Sequence, residues 1–172
     1  MGRQNMMQKR RFLMRGQKPA QEPHHYRACG LDDIYLISGF ARESTPYGEV
    51  VKIADVEGLH WEIGHLIICD DKPLSPREFR FLRKNMNLTQ EQLAKRLKID
   101  AQTIARYEKE QTAIPGATDM VVRIMFALYI VPSDKRAEVA DEIRAIIEDQ
   151  LSKQRRKKVG VATRWQEQAA HH

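Results

Sequence analysis

The chain is poor in cysteine: Cys29 and Cys69 are the only two in 172 residues. Two thiols cannot build a disulfide framework, and their scarcity suits a reducing compartment. No apolar run approaches the roughly 18–20 residues needed to cross a bilayer. The N-terminus is basic, but no apolar stretch follows residues 6–12, so no secretory leader is expected. These absences predict a cytoplasmic protein with no membrane partner. Catalytic signatures are missing as well: there is no phosphate loop, no HExxH and no GxSxG. No signature surrounds Cys29 as a nucleophile, so the expectation is a protein that is not an enzyme. No internal repeat is visible.

What the chain does have is positive charge in particular places. The formal net charge is +6. Residues 1–27 carry seven Lys/Arg against one Glu, and residues 153–172 carry six against one, which leaves the middle of the chain net negative. Within that middle, residues 76–127 are locally basic, with ten Lys/Arg against six Asp/Glu. Basic tails around a basic segment favour a polyanionic partner.

Periodicity divides the chain. Residues 1–25 have no sustained pattern and read as a basic disordered tail, with a frayed helix over 8–14. Residues 26–72 read as a small β-rich module. Strands are expected at 34–40 (IYLISGF) and 49–53 (EVVKI), with turn chemistry at 44–48 between them. A third strand is expected near 56–60, while 64–69 (GHLIIC) reads as a strand or the end of a short helix. Ile34, Leu36, Phe40, Val51 and Trp61 are its candidate core.

From residue 73 the pattern switches to period 3.6. Ser75 before Pro76, with Glu78 three residues on, is an N-cap and capping-box signature for a helix to about Asn85. Thr89 with Gln92 caps a second helix, and Asp100 caps a third that ends near Glu108. Pro115 precedes a fourth near 117–129. Ser133 caps an amphipathic helix over 132–153, and 154–172 is a basic tail. The fold class is therefore mainly α, a helical domain over 73–131 preceded by a β-rich module.

Residues 87–110, NLTQEQLAKRLKIDAQTIARYEKE, carry the functional signal. They spell two short helices joined by a tight turn, the arrangement in which the second helix enters the DNA major groove. Leu88, Leu93, Ala94, Leu97, Ile99 and Ile104 can form one small core. Gln90, Gln102, Thr103 and Arg106 are left facing outward.

This stretch, with the preceding FLRK and the following IPG, resembles the helix-turn-helix of the Cro/C1 (Xre) repressor family over about a third of the chain. The resemblance implies that Gln90 bonds a phosphate and braces the recognition helix. It places Ala101, Gln102, Thr103 and Arg106 toward the groove. There Gln102 suits adenine, Arg106 suits guanine or a phosphate, and Thr103 and Ala101 suit a thymine methyl. It implies a structural ion pair between Arg83 and Glu108. Lys98 and Glu110 stand where the family usually has glycine.

A module of this size ahead of such a domain resembles the MqsA-type antitoxins, whose front half binds zinc through two CxxC pairs. Here those positions read Tyr26, Cys29, Trp61 and Gly64, and one thiolate cannot hold tetrahedral zinc. The expectation is no metal and no cofactor, with a zinc site rearranged among His24, His25, Cys29, His60, His65 and Cys69 as the alternative. The partners implied are a double-stranded DNA operator, a second copy of the chain as homodimer, and a toxin protein. The competing reading is a stand-alone regulator whose front module senses a ligand or redox state.

Overall fold

The computed structural model describes residues 9–131 and, beyond them, Ala137, Asp141, Arg144 and Glu148. Two compact units divide the chain, Met1–Ile130 and Val131–His172. In the second, Ala137, Asp141, Arg144 and Glu148 are helical and exposed, and Arg144 pairs with Asp141 at 2.7 Å. The rest of the helix expected over 132–153 and the whole tail at 154–172 lie outside the described residues.

The first unit opens with a small sheet. Its strands are β1 (Arg10–Phe12), β2 (His24–His25) and β3 (Ile34–Leu36). Their order is β1-β3-β2, with β1 parallel and β2 antiparallel to the central β3. A hairpin follows, β4 (Phe40–Thr45) and β5 (Gly48–Ile53), in register from Phe40↔Ile53 to Thr45↔Gly48. Five helices complete it: α1 (Val56–Cys69), α2 (Pro76–Asn85), α3 (Gln90–Leu97), α4 (Ala101–Glu108) and α5 (Gly116–Ile130). The expected class, a helical domain behind a β-rich module, holds. Among the described residues no helix is long and apolar enough to cross a membrane.

Four local expectations need correction. The frayed helix in a disordered N-terminal tail is replaced over Arg10–Phe12 by strand β1. Phe12 is buried there, and Arg10 is held by Asp33 at 3.2 Å and Glu78 at 2.5 Å. The single strand over 34–40 is two strands. Ser38 and Gly39 divide them, with Gly39 at φ +83° and the Ser38 hydroxyl accepting from the Met14 N–H at 2.8 Å. The third strand expected near 56–60 is instead the start of helix α1, which runs on through 64–69, the stretch read as a strand or a helix end. Asp55 caps it by accepting from the Gly58 N–H at 2.8 Å. Trp61, expected in the core, is 43% exposed, because α1 buries Ile63, Gly64 and Ile67 instead.

α1 sits against α5 at close range. A Cβ on Gly64 would lie 2.2 Å from the Phe126 ring, so only glycine permits that approach. Arg123 on α5 then closes the end of α1. Its guanidinium donates to the carbonyls of Ile67 (2.7 Å), Ile68 (3.2 Å), Asp70 (2.7 Å) and Lys72 (2.6 Å). A helix C-terminus leaves its last carbonyls without partners, and a cation there satisfies both their hydrogen bonds and their dipole. Asp119 orients Arg123 at 2.5 Å and accepts the Leu74 N–H at 2.6 Å. One continuous core joins sheet and helices, with Ile34, Ile63, Phe79, Leu82, Leu93, Ile104 and Phe126 fully buried.

Candidate nucleic-acid interface

The site is built on three short helices that stop and start cleanly. Ser75 and Glu78 form the capping box of α2, and Thr89 and Gln92 that of α3. Asp100 caps α4 by accepting from the Gln102 N–H at 2.7 Å. Each of the three helices ends in the same way. A left-handed residue follows, directly after α3 at Lys98 (φ +55°) and one residue beyond the cap of α2 and of α4 at Asn87 (+54°) and Glu110 (+61°). The next amide then reaches back, Leu88 to Arg83 (3.2 Å), Ile99 to Ala94 (3.1 Å) and Gln111 to Arg106 (2.9 Å). This is the Schellman closure, normally made by glycine. None of the three positions is glycine here.

The turn between α3 and α4 rests on the core read from the sequence. Leu93 and Ile104 are fully buried, Leu88 and Ala94 are buried, and Leu97 and Ile99 pack partly against them. Phe79 meets Tyr107 edge-on at 5.9 Å between ring centroids. α4 is thereby fixed on its inner face, and its outer face is left to solvent.

Arg83 and Glu108 form the ion pair that the family resemblance implied. Arg83 Nε lies 2.5 Å from Glu108 Oε1 and its Nη2 3.0 Å from Oε2, while Nη1 donates to the Leu88 carbonyl at 2.7 Å. Their side chains are 9% and 3% exposed. Gln90 joins this pair, its Nε2 donating to Glu108 Oε2 at 2.9 Å. The first residue of α3 is thus tied to the last residue of α4.

Gln102 and Arg106 are exposed, one turn apart on α4, and their side chains make no hydrogen bond or ion pair among the described residues. Ala101 and Thr103 are half-buried beside them. Free amide and guanidinium groups on a braced helix are the requirement for reading base edges.

Among the described residues, no group of three or more His, Cys, Asp or Glu is placed to hold an ion. His60 instead accepts from or donates to the Tyr26 hydroxyl at 2.9 Å, and His25 stacks on Tyr35 at 4.5 Å. Cys69 is exposed, 3.7 Å from His65 Nε2. Cys29 is half-buried, and burial pushes its thiol pKa up, away from the reactive thiolate.

Sequence reasoning missed the Arg123–Asp119 clamp. Its signal was present: an acid and a base four residues apart inside an otherwise apolar helix.

Comparison with known proteins agrees with this geometry. No curated protein and no solved structure matches the chain. The family described as "Helix-turn-helix domain" matches residues 77–132, the span of α2 to α5. The chain thus carries, over residues 77–132, a helix-turn-helix domain, the kind of domain found in DNA-binding regulators.

Proposed function

We propose that the protein is a sequence-specific transcriptional repressor that binds a palindromic operator as a homodimer. The observation that carries this reading is the unpartnered, exposed pair Gln102 and Arg106 on a helix whose end is locked through Glu108 to Arg83 and Gln90. Gln102 and Arg106 read base edges, with Ala101 and Thr103 against thymine methyls. Gln90 contributes its backbone amide, at the α3 N-terminus, to a phosphate. For the dimer, α5 offers exposed apolar groups, with Met120 60%, Val121 44% and Tyr129 39% exposed.

Within this reading the protein is an antitoxin that represses its own operon. Trp61 and Leu66, exposed on α1, would meet a toxin partner. The test is a gel shift on the gene's own upstream region, paired with recovery of the neighbouring gene product on the immobilised full chain. Arg106→Ala should weaken operator binding by about 1–3 kcal/mol, roughly fivefold to 150-fold. Unchanged binding by Arg106→Ala would reject the base-reading assignment.

One observation favours the stand-alone reading. A cavity of about 160 Å³ lies between the sheet and α1, lined by Phe12, Leu36, Ser38, Ile53 and Leu59 among others. A regulator sensing a small apolar ligand would use it. Ligand-dependent operator affinity with no protein partner would select that reading. The raised Cys29 thiol speaks against its redox form.

A further inference from the structure

A groove of about 410 Å³ runs beside the ion-pair hub. Arg77, Arg80 and Lys84 of α2 line it, together with Lys109 and Glu110 after α4 and the loop Ala28–Cys29–Gly30 of the N-terminal module. Positions 77, 80 and 84 follow helical spacing, so the three cations share one face of α2. Arg77 and Arg80 side chains are 54% and 56% exposed. Lys84 and Lys109 are exposed and make no ion pair among the described residues. Arg77 pairs with Asp32 at the groove's edge. Glu108 is already neutralised by Arg83, so Glu110 is the opposing charge within the lining.

Lys109 relates the groove to the candidate reading surface. Gln102, Arg106 and Lys109 fall at i, i+4 and i+7 along α4 and its cap, which puts them on one side of the helix. A track of positive charge therefore leads from Arg106 through Lys109 onto α2. Seven residues of helix separate Arg77 from Lys84, about 10 Å of axis. One DNA strand presents a charge per roughly 3.4 Å of axis, so a row of this length suits successive backbone phosphates better than one compact anion.

We propose that this groove holds the DNA backbone flanking the base pairs that α4 reads, and that the N-terminal module borders the nucleic acid there. The inference rests on the DNA-binding reading above. Backbone contacts position a protein without reading sequence. Removing one should weaken all duplexes alike and lower the dependence of log K on log salt by about 0.9 per lost phosphate.

The experiment measures binding of the full chain to two duplexes across a salt series, one from its own upstream region and one of random sequence. Lys84→Gln and Lys109→Gln are compared with wild type and with Lys52→Gln on the β4–β5 hairpin. Circular dichroism and melting confirm that each variant is folded. The expected result is a salt slope reduced by about 0.9 in each groove variant, equal on both duplexes, with Lys52→Gln unchanged. Unaltered slopes in the groove variants would overturn the proposal while leaving the reading by α4 intact. An equal drop in Lys52→Gln would overturn it too, as an effect of net charge alone. If wild type bound neither duplex, the DNA-binding reading would fall and the groove assignment with it. Inorganic pyrophosphate that bound wild type but neither Lys84→Gln nor Lys109→Gln, with DNA affinity unchanged in both variants, would overturn the proposal and reassign the cations to a small anion.

Discussion

Glu108 accepts three hydrogen bonds from two residues, two from Arg83 and one from Gln90. A buried pair adds little net stability against an apolar replacement, yet losing one member strands the other charge. Glu108→Ala should therefore destabilise by about 3–5 kcal/mol, read as a shift in the urea midpoint. Arg83→Met with Glu108→Leu together should cost much less than the sum of the single changes. A sum that is simply additive would remove the buried-pair argument.

Lys98 and Glu110 hold left-handed backbone without the freedom of glycine. L-residues lose roughly 1–2 kcal/mol in that conformation. Lys98→Gly and Glu110→Gly should each stabilise the protein by about 1 kcal/mol, measured as a higher melting temperature. Asn87→Gly should gain less, since asparagine tolerates the conformation. Glu110→Gly also removes a carboxylate from the basic groove, so it should tighten binding to any duplex, whereas Lys98→Gly should not.

At the scale of elements, the packing of α1 on α5 depends on Gly64 and Arg123. Gly64→Ala places a methyl group inside the Phe126 ring's space. Overpacking of this kind costs typically about 1–3 kcal/mol, even though alanine favours the helix itself. Arg123→Lys keeps the charge but cannot reproduce the fork that reaches four carbonyls at once. It should lower stability, with hydrogen exchange rising first at the end of α1 and in the segment 70–74. Unchanged exchange there would show that the clamp is not what holds α1 to the helical domain.

The elements also show where sequence reasoning reached and where it stopped. α2, α3 and α4 were legible to within a residue because each carries its own N-cap, and capping is local chemistry. α5 was legible from its apolar content. α1 was not. Its run VEGLHWEIGHLIIC mixes β-branched, aromatic and glycine residues, and its helical state is selected by contact with α5, sixty residues away in sequence. β1 was hidden for a similar reason. Arg10 in a basic tail looks solvated until Asp33, Asp70 and Glu78 converge on it.

For the molecule as a whole, acid is the informative perturbation. Burial lowers the pKa of His60, a hydrogen bond with Asn85 opposing it, and burial together with Arg42 and His25 lowers that of His24. Both rings take up protons less readily in the fold than in the unfolded chain, which binds the extra protons as pH falls. Their stability contribution is full above about pH 6.5 and declines as pH falls below it. Glu78 behaves separately. Burial would raise its pKa, but the Ser75 amide, Arg10, the Ser75 hydroxyl and Lys72 outweigh this and hold it at about 2. Its contribution is present above 4.5, the ordinary value, and is lost as pH falls toward about 2. Denaturant midpoints should therefore drop in two stages. His60→Phe should flatten the upper one, and Glu78→Gln the lower. A single stage unaffected by either change would contradict this assignment.

The sequence by itself determined the helix-turn-helix unit and its caps, because these follow from spacing and chemistry within about thirty residues; the Arg83–Glu108 pair was implied by the family resemblance, and Gln90, expected outward, is turned onto Glu108. Only the tertiary structure decided that Arg10–Phe12 is a strand, that α1 is a helix, and that Trp61 faces outward. It alone placed the module's loop with α2 in the lining of a basic groove. Those outcomes depend on contacts between distant residues, where burial and charge pairing override local preference.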